Sequence, residues 1–202
     1  SLEDQIGSES SFLISDEVQE ASLEKKKYRR DKFPDGMQKK VILIRPDPCE
    51  WSDLDRLILD TPISLMAMAA VLIRANIPVE IIDFSALTPD ERVEALDKLA
   101  ERDDILIAGL SIMSSQVKNA LKIVRRLKKA NPDIPVILGG IHAVLYPEES
   151  CSHELIDYVC FSDGEEVMLE LVDFIYFRIY LAHGMGFSVG CPRRHRPVIC
   201  ER

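Results

Sequence analysis

Between Lys39 and about residue 173 the chain alternates short, nearly unbroken apolar runs with longer segments whose apolar residues return every three or four positions. The runs Val41-Ile-Leu-Ile-Arg45, Pro78-Val-Glu-Ile-Ile-Asp83, Ile105–Leu110, Val136–Leu138 and Asp157-Tyr-Val-Cys-Phe161 are too short for helices. Most lack the polar alternation of a half-exposed sheet, which marks strands covered on both faces. Between them, Leu65, Met66, Ala69, Leu72 and Ile73 repeat at helical spacing within Pro62–Ala75. Thr88-Pro-Asp-Glu91 supplies an N-cap, a proline at the first helical position and a capping-box glutamate for a helix running to about Arg102. A lysine-rich amphipathic segment over Ser115–Ala130 predicts the third helix, Pro147-Glu-Glu149 a short helical turn, and a last helix begins near Gly164.

Five strands alternating with helices predict an α/β fold. Right-handed crossovers give a five-stranded parallel sheet of order 2-1-3-4-5, flavodoxin-like (Rossmann-like), with helices on both faces. That order reverses direction between the first and third strands. A ligand crevice is therefore expected between Pro46 and Ser111.

Residues 1–38 are rich in Ser, Glu, Asp and Lys and read as a flexible leader or linker, residues 39–175 as the domain, and residues 176–202 as an irregular tail. The 202 residues hold 47% hydrophobic side chains and a formal charge of −9, with no apolar run long enough to span a membrane. An acidic chain of this kind is not expected to bind nucleic acid. The five cysteines, at 49, 151, 160, 191 and 200, are odd in number and irregularly spaced, which points to the cytoplasm. His183, Cys191, His195 and Cys200 fit no standard zinc spacing.

The candidate chemistry lies at the strand ends. No Gly-x-Gly-x-x-Gly follows the first strand, where Arg45-Pro-Asp-Pro-Cys-Glu-Trp51 stands, so a phosphate cradle for a dinucleotide or flavin is missing. Gly109-Leu-Ser111 replaces the carboxylate that a phosphate-accepting receiver needs. What remains is uncharged and compact: Ser111, Met113, Ser114, Ser115 and Gln116 after the third strand, Gly139, Gly140 and His142 after the fourth, Gly164 and Glu165 after the fifth. Such groups suit a large, mostly neutral, amide-rich ligand. Taken singly, Ser114 or Ser115 also serves as a helix cap, the glycines as turns and Glu165 as a partner of its helix's positive end.

The ordered set Lys40-Val-Ile-Leu-Ile-Arg-Pro46, Pro62–Ile73 with Pro78-Val-Glu-Ile-Ile-Asp83, Gly109-Leu-Ser-Ile-Met-Ser-Ser-Gln-Val117, Pro132-Asp-Ile-Pro-Val-Ile-Leu-Gly-Gly-Ile-His-Ala143, Pro147-Glu-Glu149 and Asp157-Tyr-Val-Cys-Phe-Ser-Asp-Gly-Glu-Glu166 resembles the cobalamin-binding domain that precedes the catalytic barrel of cobalamin-dependent radical S-adenosylmethionine enzymes. The resemblance implies that Ser111 and its neighbours line the pocket for the cobalamin nucleotide tail, and that Gly139 and Gly140 let the tail pass along the sheet. Pro46, Met113, Ser114, Ser115, Gln116, His142, Gly164 and Glu165 complete the implied cofactor-binding set. The cobalt-ligating histidine of Asp-x-His-x-x-Gly domains has no counterpart between Pro46 and Asp60. Ser162-Asp163-Gly164-Glu165 stands where the family usually shows Gly-Glu-Gly-Glu.

The same resemblance implies a radical S-adenosylmethionine barrel in cis in a full-length protein. The Cys-x-x-x-Cys-x-x-Cys motif for a 4Fe-4S cluster, and the S-adenosylmethionine site, would belong to that part. The expected role is a cobalamin module that positions the corrinoid for methyl transfer and is not catalytic alone. The alternative is a non-catalytic interaction or regulatory domain that has kept the scaffold and lost the cofactor.

Overall fold

A computed structural model describes residues 37–48, 61–180 and 199–201. Its strands are β1 (Lys40–Arg45), β2 (Val79–Asp83), β3 (Ile105–Ser111), β4 (Val136–Gly139), β5 (Tyr158–Cys160) and β6 (Ile199–Glu201). The helices are α1 (Ile63–Arg74), α2 (Pro89–Ala100), α3 (Val117–Ala130), α4 (Ile141–Leu145), α5 (Pro147–Ser152) and α6 (Gly164–Tyr180). The first five strands are parallel in the order 2-1-3-4-5, as the sequence predicts.

Three features depart from the sequence reading. The last helix continues to Tyr180, past the expected boundary at 175. Ile199–Glu201, expected to be irregular, pairs antiparallel with β5 as a sixth strand. A short helix, α4, follows Gly140, where a loop was expected.

The period of two along each strand sorts the core into two layers. Val41, Leu43, Ile107 and Ile137 face α1 and α6, meeting Leu65, Ala69 and Leu72 from the first helix and Met168, Leu171, Val172 and Ile175 from the last. Ile42, Ile44, Ala108, Leu110, Leu138 and Val159 face α2 and α3, where Ala120, Ile123, Val124 and Leu127 recur at the i, i+3, i+4, i+7 spacing of one helical stripe. Each fully buried Leu or Ile contributes about 1.5–3 kcal/mol, so these layers dominate the stability. In α1 the buried stripe is Leu65, Ala69 and Leu72, whereas Met66 and Ile73 are exposed.

Local chemistry sets the boundaries. The Thr88 backbone N–H and hydroxyl both donate to Glu91 Oε2 at 2.8 Å, completing the capping box of α2 and holding the Glu91 carboxyl below its usual range. Helix α1 ends where Asn76 takes a positive φ of 62° and the Ile77 N–H donates to the Leu72 carbonyl at 3.0 Å, a left-handed stop of the kind asparagine tolerates.

At the opposite edge from the strand C-termini, Arg102 grips Asp104 with two bonds of 2.7 and 2.9 Å and reaches Glu80 at 2.9 Å. The bond from Arg102 pulls the Asp104 carboxyl below the ordinary carboxylate range, and the bond from Asp104 in turn raises the guanidinium. Because the folded-state pKa of Asp104 is depressed, the pair stabilises the fold above the ordinary value near ~3.9 and loses that contribution as pH falls through the lowered one. Asp104→Asn should therefore lower the urea midpoint at neutral pH, and the gap to wild type should narrow progressively as pH falls below the ordinary carboxylate range. Urea titrations at neutral and acid pH check this; a gap that persists undiminished in acid contradicts it.

Candidate functional site

The sheet face toward α1 and α6 is built in rows. Register places Leu43, Gly109, Ile137 and Tyr158 side by side, and Ser111 beside Gly139 one step nearer the strand C-termini. Cys160 completes that upper row, since a Cβ built on Gly139 would stand 3.8 Å from the Cys160 Cβ. The upper row is thus hydroxyl, hydrogen and thiol where the core proper carries leucine and isoleucine. Side chains that would fill the space under α1 and α6 are missing, and a cleft of about 210 Å³ opens there.

The floor of the cleft is Leu43, Gly109 and Ile137 with Met168 above them, and its walls are Leu65 and Met68 from α1. The mouth carries Ser64, Ser111, Ser162, Asp163, Gly164 and Glu165. Two residues along a strand separate mouth from floor, a depth of about 6.6 Å. Asp163 and Glu165 lie at the N-terminal end of α6. Two carboxylates at the mouth repel a di- or triphosphate strongly and a single negative charge more weakly, and a neutral ligand meets no such barrier.

Gly140 fixes the corner between β4 and α4. Its φ is 89° with ψ −178°, and a Cβ there would lie 2.6 Å from the Ile112 nitrogen and 2.7 Å from the Ile112 oxygen. Only glycine adopts this conformation routinely. The close approach is held by the Ile112 N–H donating to the Gly139 carbonyl at 3.0 Å and the His142 N–H donating to the Ile112 carbonyl at 3.1 Å. The loops after β3 and β4 are thereby tied together beside the cleft.

Of the residues singled out in the sequence, Ser111, Gly139, Gly140, Gly164 and Glu165 line the cleft. The others are placed differently. Gln116 is buried, its Nε2 donating to the Pro46 carbonyl at 2.6 Å and its Oε1 accepting from the Met113 N–H at 2.7 Å. The crevice expected between Pro46 and Ser111 is therefore bridged by a side chain, and the open space lies on the α1 and α6 face of the sheet, from Leu43 of β1 across β3 and β4 to Cys160 of β5. Asp47 is tied to Arg92 at 2.8 Å and to Asn119 at 3.0 Å, which anchors the start of the same loop. His142 is 5% exposed, with Nδ1 3.1 Å from Ser114 Oγ and its ring 5.1 Å from that of Tyr146. Met113, Ser114 and Ser115 are exposed at the sheet's C-terminal edge.

Replacing Gln116 by leucine should cost about 2 kcal/mol in a urea titration, because two backbone groups lose their partner. Loss of less than ~0.5 kcal/mol would show that water satisfies both.

Sequence reasoning missed the floor and walls, Leu43, Leu65, Met68, Ile137 and Met168. The signal for the floor was available: Leu43, Gly109 and Ile137 share the strand parity of Ser111 and Gly139. The helix residues depend on packing across the sheet, for which a single sequence holds no marker. Among the described residues no cluster of His, Cys, Asp and Glu is arranged to hold a metal ion. His183, Cys191 and His195 lie outside the described residues.

The chain matches the B12 binding domain family over residues 61–172. It is 30% identical over 115 residues to the anaerobic magnesium-protoporphyrin IX monomethyl ester cyclase of Rubrivivax gelatinosus, a match covering 55% of this chain and 20% of that protein. It is also 30% identical over 137 residues to an uncharacterized methyltransferase of Pyrococcus horikoshii, covering 66% and 29%. The chain thus spans less than a third of the length of these relatives. Among solved structures, the radical S-adenosylmethionine methyltransferase TsrM of Kitasatospora setae superposes with a TM-score of 0.58 at 19% identity, over 68% of this chain and 26% of that one. The same enzyme with cobalamin and a 4Fe-4S cluster bound gives 0.55 at 21% identity, over 69% and 25%. At such identities the likeness establishes the fold. Taken with strand ends that hold a cleft open, a match running from the first helix into the last shows that the chain belongs to the B12-binding domain family.

Proposed function

We propose that the cleft receives the nucleotide tail of a cobalamin and that the domain thereby fixes the corrinoid over the C-terminal edge of the sheet. The observation that carries this reading is the small-residue row Ser111, Gly139 and Cys160, which leaves an open space above a floor of Leu43, Ile137 and the Met168 side chain packed over Gly109. A scaffold that had lost its ligand would be expected to close that space with its own side chains, so the cofactor-free alternative is not favoured.

In this reading Ser111, Gly139, Gly140, Gly164 and Glu165 contact the tail. Pro46, Gln116 and His142 act one step removed, by fixing the loops that carry Met113, Ser114 and Ser115 to the edge on which the corrinoid would lie. Bound cobalamin supplies a cobalt centre capable of alkyl-group transfer. The residues of this chain bind and orient the cofactor.

The likeness to relatives of more than twice its length supports a radical S-adenosylmethionine barrel as the partner, in cis in the full-length protein, with the 4Fe-4S cluster and S-adenosylmethionine held there. Methyl transfer is the reaction we assign to that assembly. The odd number and irregular spacing of the cysteines support a cytoplasmic setting; among the described residues no helix is long and apolar enough to cross a membrane. The test is to mix purified protein with hydroxocobalamin and pass it through gel filtration. Corrin absorbance co-eluting near one equivalent is expected; colourless protein at micromolar cofactor contradicts the reading.

A further inference from the structure

We propose that the cleft selects among corrinoids by their lower base, accepting an apolar benzimidazole and rejecting an adenine; the inference rests on the tail-binding reading above. Polarity along the cleft axis is what points to it. All the hydroxyls and carboxylates that line the cleft stand at its mouth, on Ser64, Ser111, Ser162, Asp163 and Glu165. The floor and walls are Leu43, Gly109, Ile137, Met168, Leu65 and Met68, whose side chains carry no nitrogen or oxygen.

The backbone offers no compensation at that depth. The peptide groups of β1, β3 and β4 beneath the floor residues lie within the parallel ladder, with Leu43 paired to Gly109 and Gly109 to Ile137. A ligand with a polar linker and an apolar aromatic end therefore matches the site from mouth to floor. Dimethylbenzimidazole presents two methyl groups and a fused ring to such a floor. Adenine would bring an exocyclic amine and ring nitrogens out of water with nothing to bond to, and one unpaired buried group is enough for roughly a tenfold loss of affinity.

The two methionines tune this selection. The Met168 methyl would lie 3.0 Å from a Cβ on Gly109, and the Met68 methyl 2.6 Å from a Cβ on Gly164, so each methionine fills the hollow over its glycine and both thioethers line the cleft that an entering group would meet. Thioether sulfur is polarizable and a weak hydrogen-bond acceptor, suited to an aromatic edge and not to an amine. Met68 is only partly buried, so its replacement by a side chain of equal length leaves the core layer in place.

The experiment measures affinities of the full chain for cobalamin and for the adeninyl cobamide, by absorbance titration, in wild type and in Met68→Gln and Met68→Leu. Cobalamin should bind at least ~10-fold tighter. Met68→Gln, which puts an amide in the wall, should narrow that ratio several-fold, and Met68→Leu should preserve it. Equal affinities, or a preference for the adeninyl form, overturn the inference while leaving the tail-binding reading intact. Binding of neither corrinoid overturns that reading, and the inference with it.

Discussion

Gly139→Leu should leave the domain folded and weaken cobalamin binding roughly a hundredfold, equivalent to about 2.8 kcal/mol. A Cβ at this position meets its nearest neighbours, the Cys160 carbonyl oxygen and Cβ and the Leu110 carbonyl oxygen, at 3.7–3.9 Å, which is ordinary van der Waals contact. The backbone therefore accepts a side chain here, and the remaining leucine atoms must extend into the space between the sheet and α1 and α6. Two outcomes are separable: the urea midpoint reports the fold, and corrin absorbance after gel filtration reports the cleft. Unchanged stability with lost binding is expected; unchanged stability with unchanged binding would show that the ligand does not use this cleft.

Gly140→Ala, one residue along, should behave in the opposite way. Here the cost falls on the fold, because φ 89° with ψ −178° is a conformation that alanine avoids and its Cβ would overlap the Ile112 peptide at 2.6–2.7 Å. Backbone strain of this kind costs about 1–3 kcal/mol by itself. Relieving the overlap would also lengthen the bonds that join Ile112 to Gly139 and to His142. We expect a loss of about 3 kcal/mol or more in a urea titration, against less than about 1 kcal/mol for Gly139→Ala. Similar costs at the two glycines would mean that the corner is less constrained than its geometry implies. The adjacent pair thus divides its work: Gly139 leaves room, and Gly140 makes the turn beside it.

Strand and helix order was legible because most β-runs are nearly unbroken apolar stretches and the helices repeat at their own period. Thr88-Pro-Asp-Glu91 even specifies its capping bonds. Element ends were less so: Ser115–Ala130 resolves into a single 3-10 turn at Ser114–Gln116 followed by α3, because Gln116 is drawn inward to Pro46 and Met113. That inward turn also relocates the site. A glutamine in a loop beside serines reads as a ligand contact, yet both ends of its amide are consumed by backbone, and only tertiary structure reveals such a bridge.

Gly109, Ser111 and Gly139 could be placed on one face from strand parity alone, and compact residues at neighbouring strand ends already marked where a ligand enters. The apolar depth of the cleft could not be read in this way, since Met68 and Met168 reach it from helices separated by about a hundred residues of sequence. Pairing of β6 with β5 was equally hidden, because Ile199-Cys-Glu201 is too short to stand out from its surroundings.

A cleft that holds a cobamide's tail, and not its ring alone, makes affinity depend on that tail. Cobinamide, which has the corrin ring but no nucleotide tail, separates the two. Titrated side by side against the full chain, cobalamin should bind on the order of a hundredfold more tightly than cobinamide. Equal affinities would contradict the assignment of the cleft between the sheet and α1 and α6 as the seat of the tail.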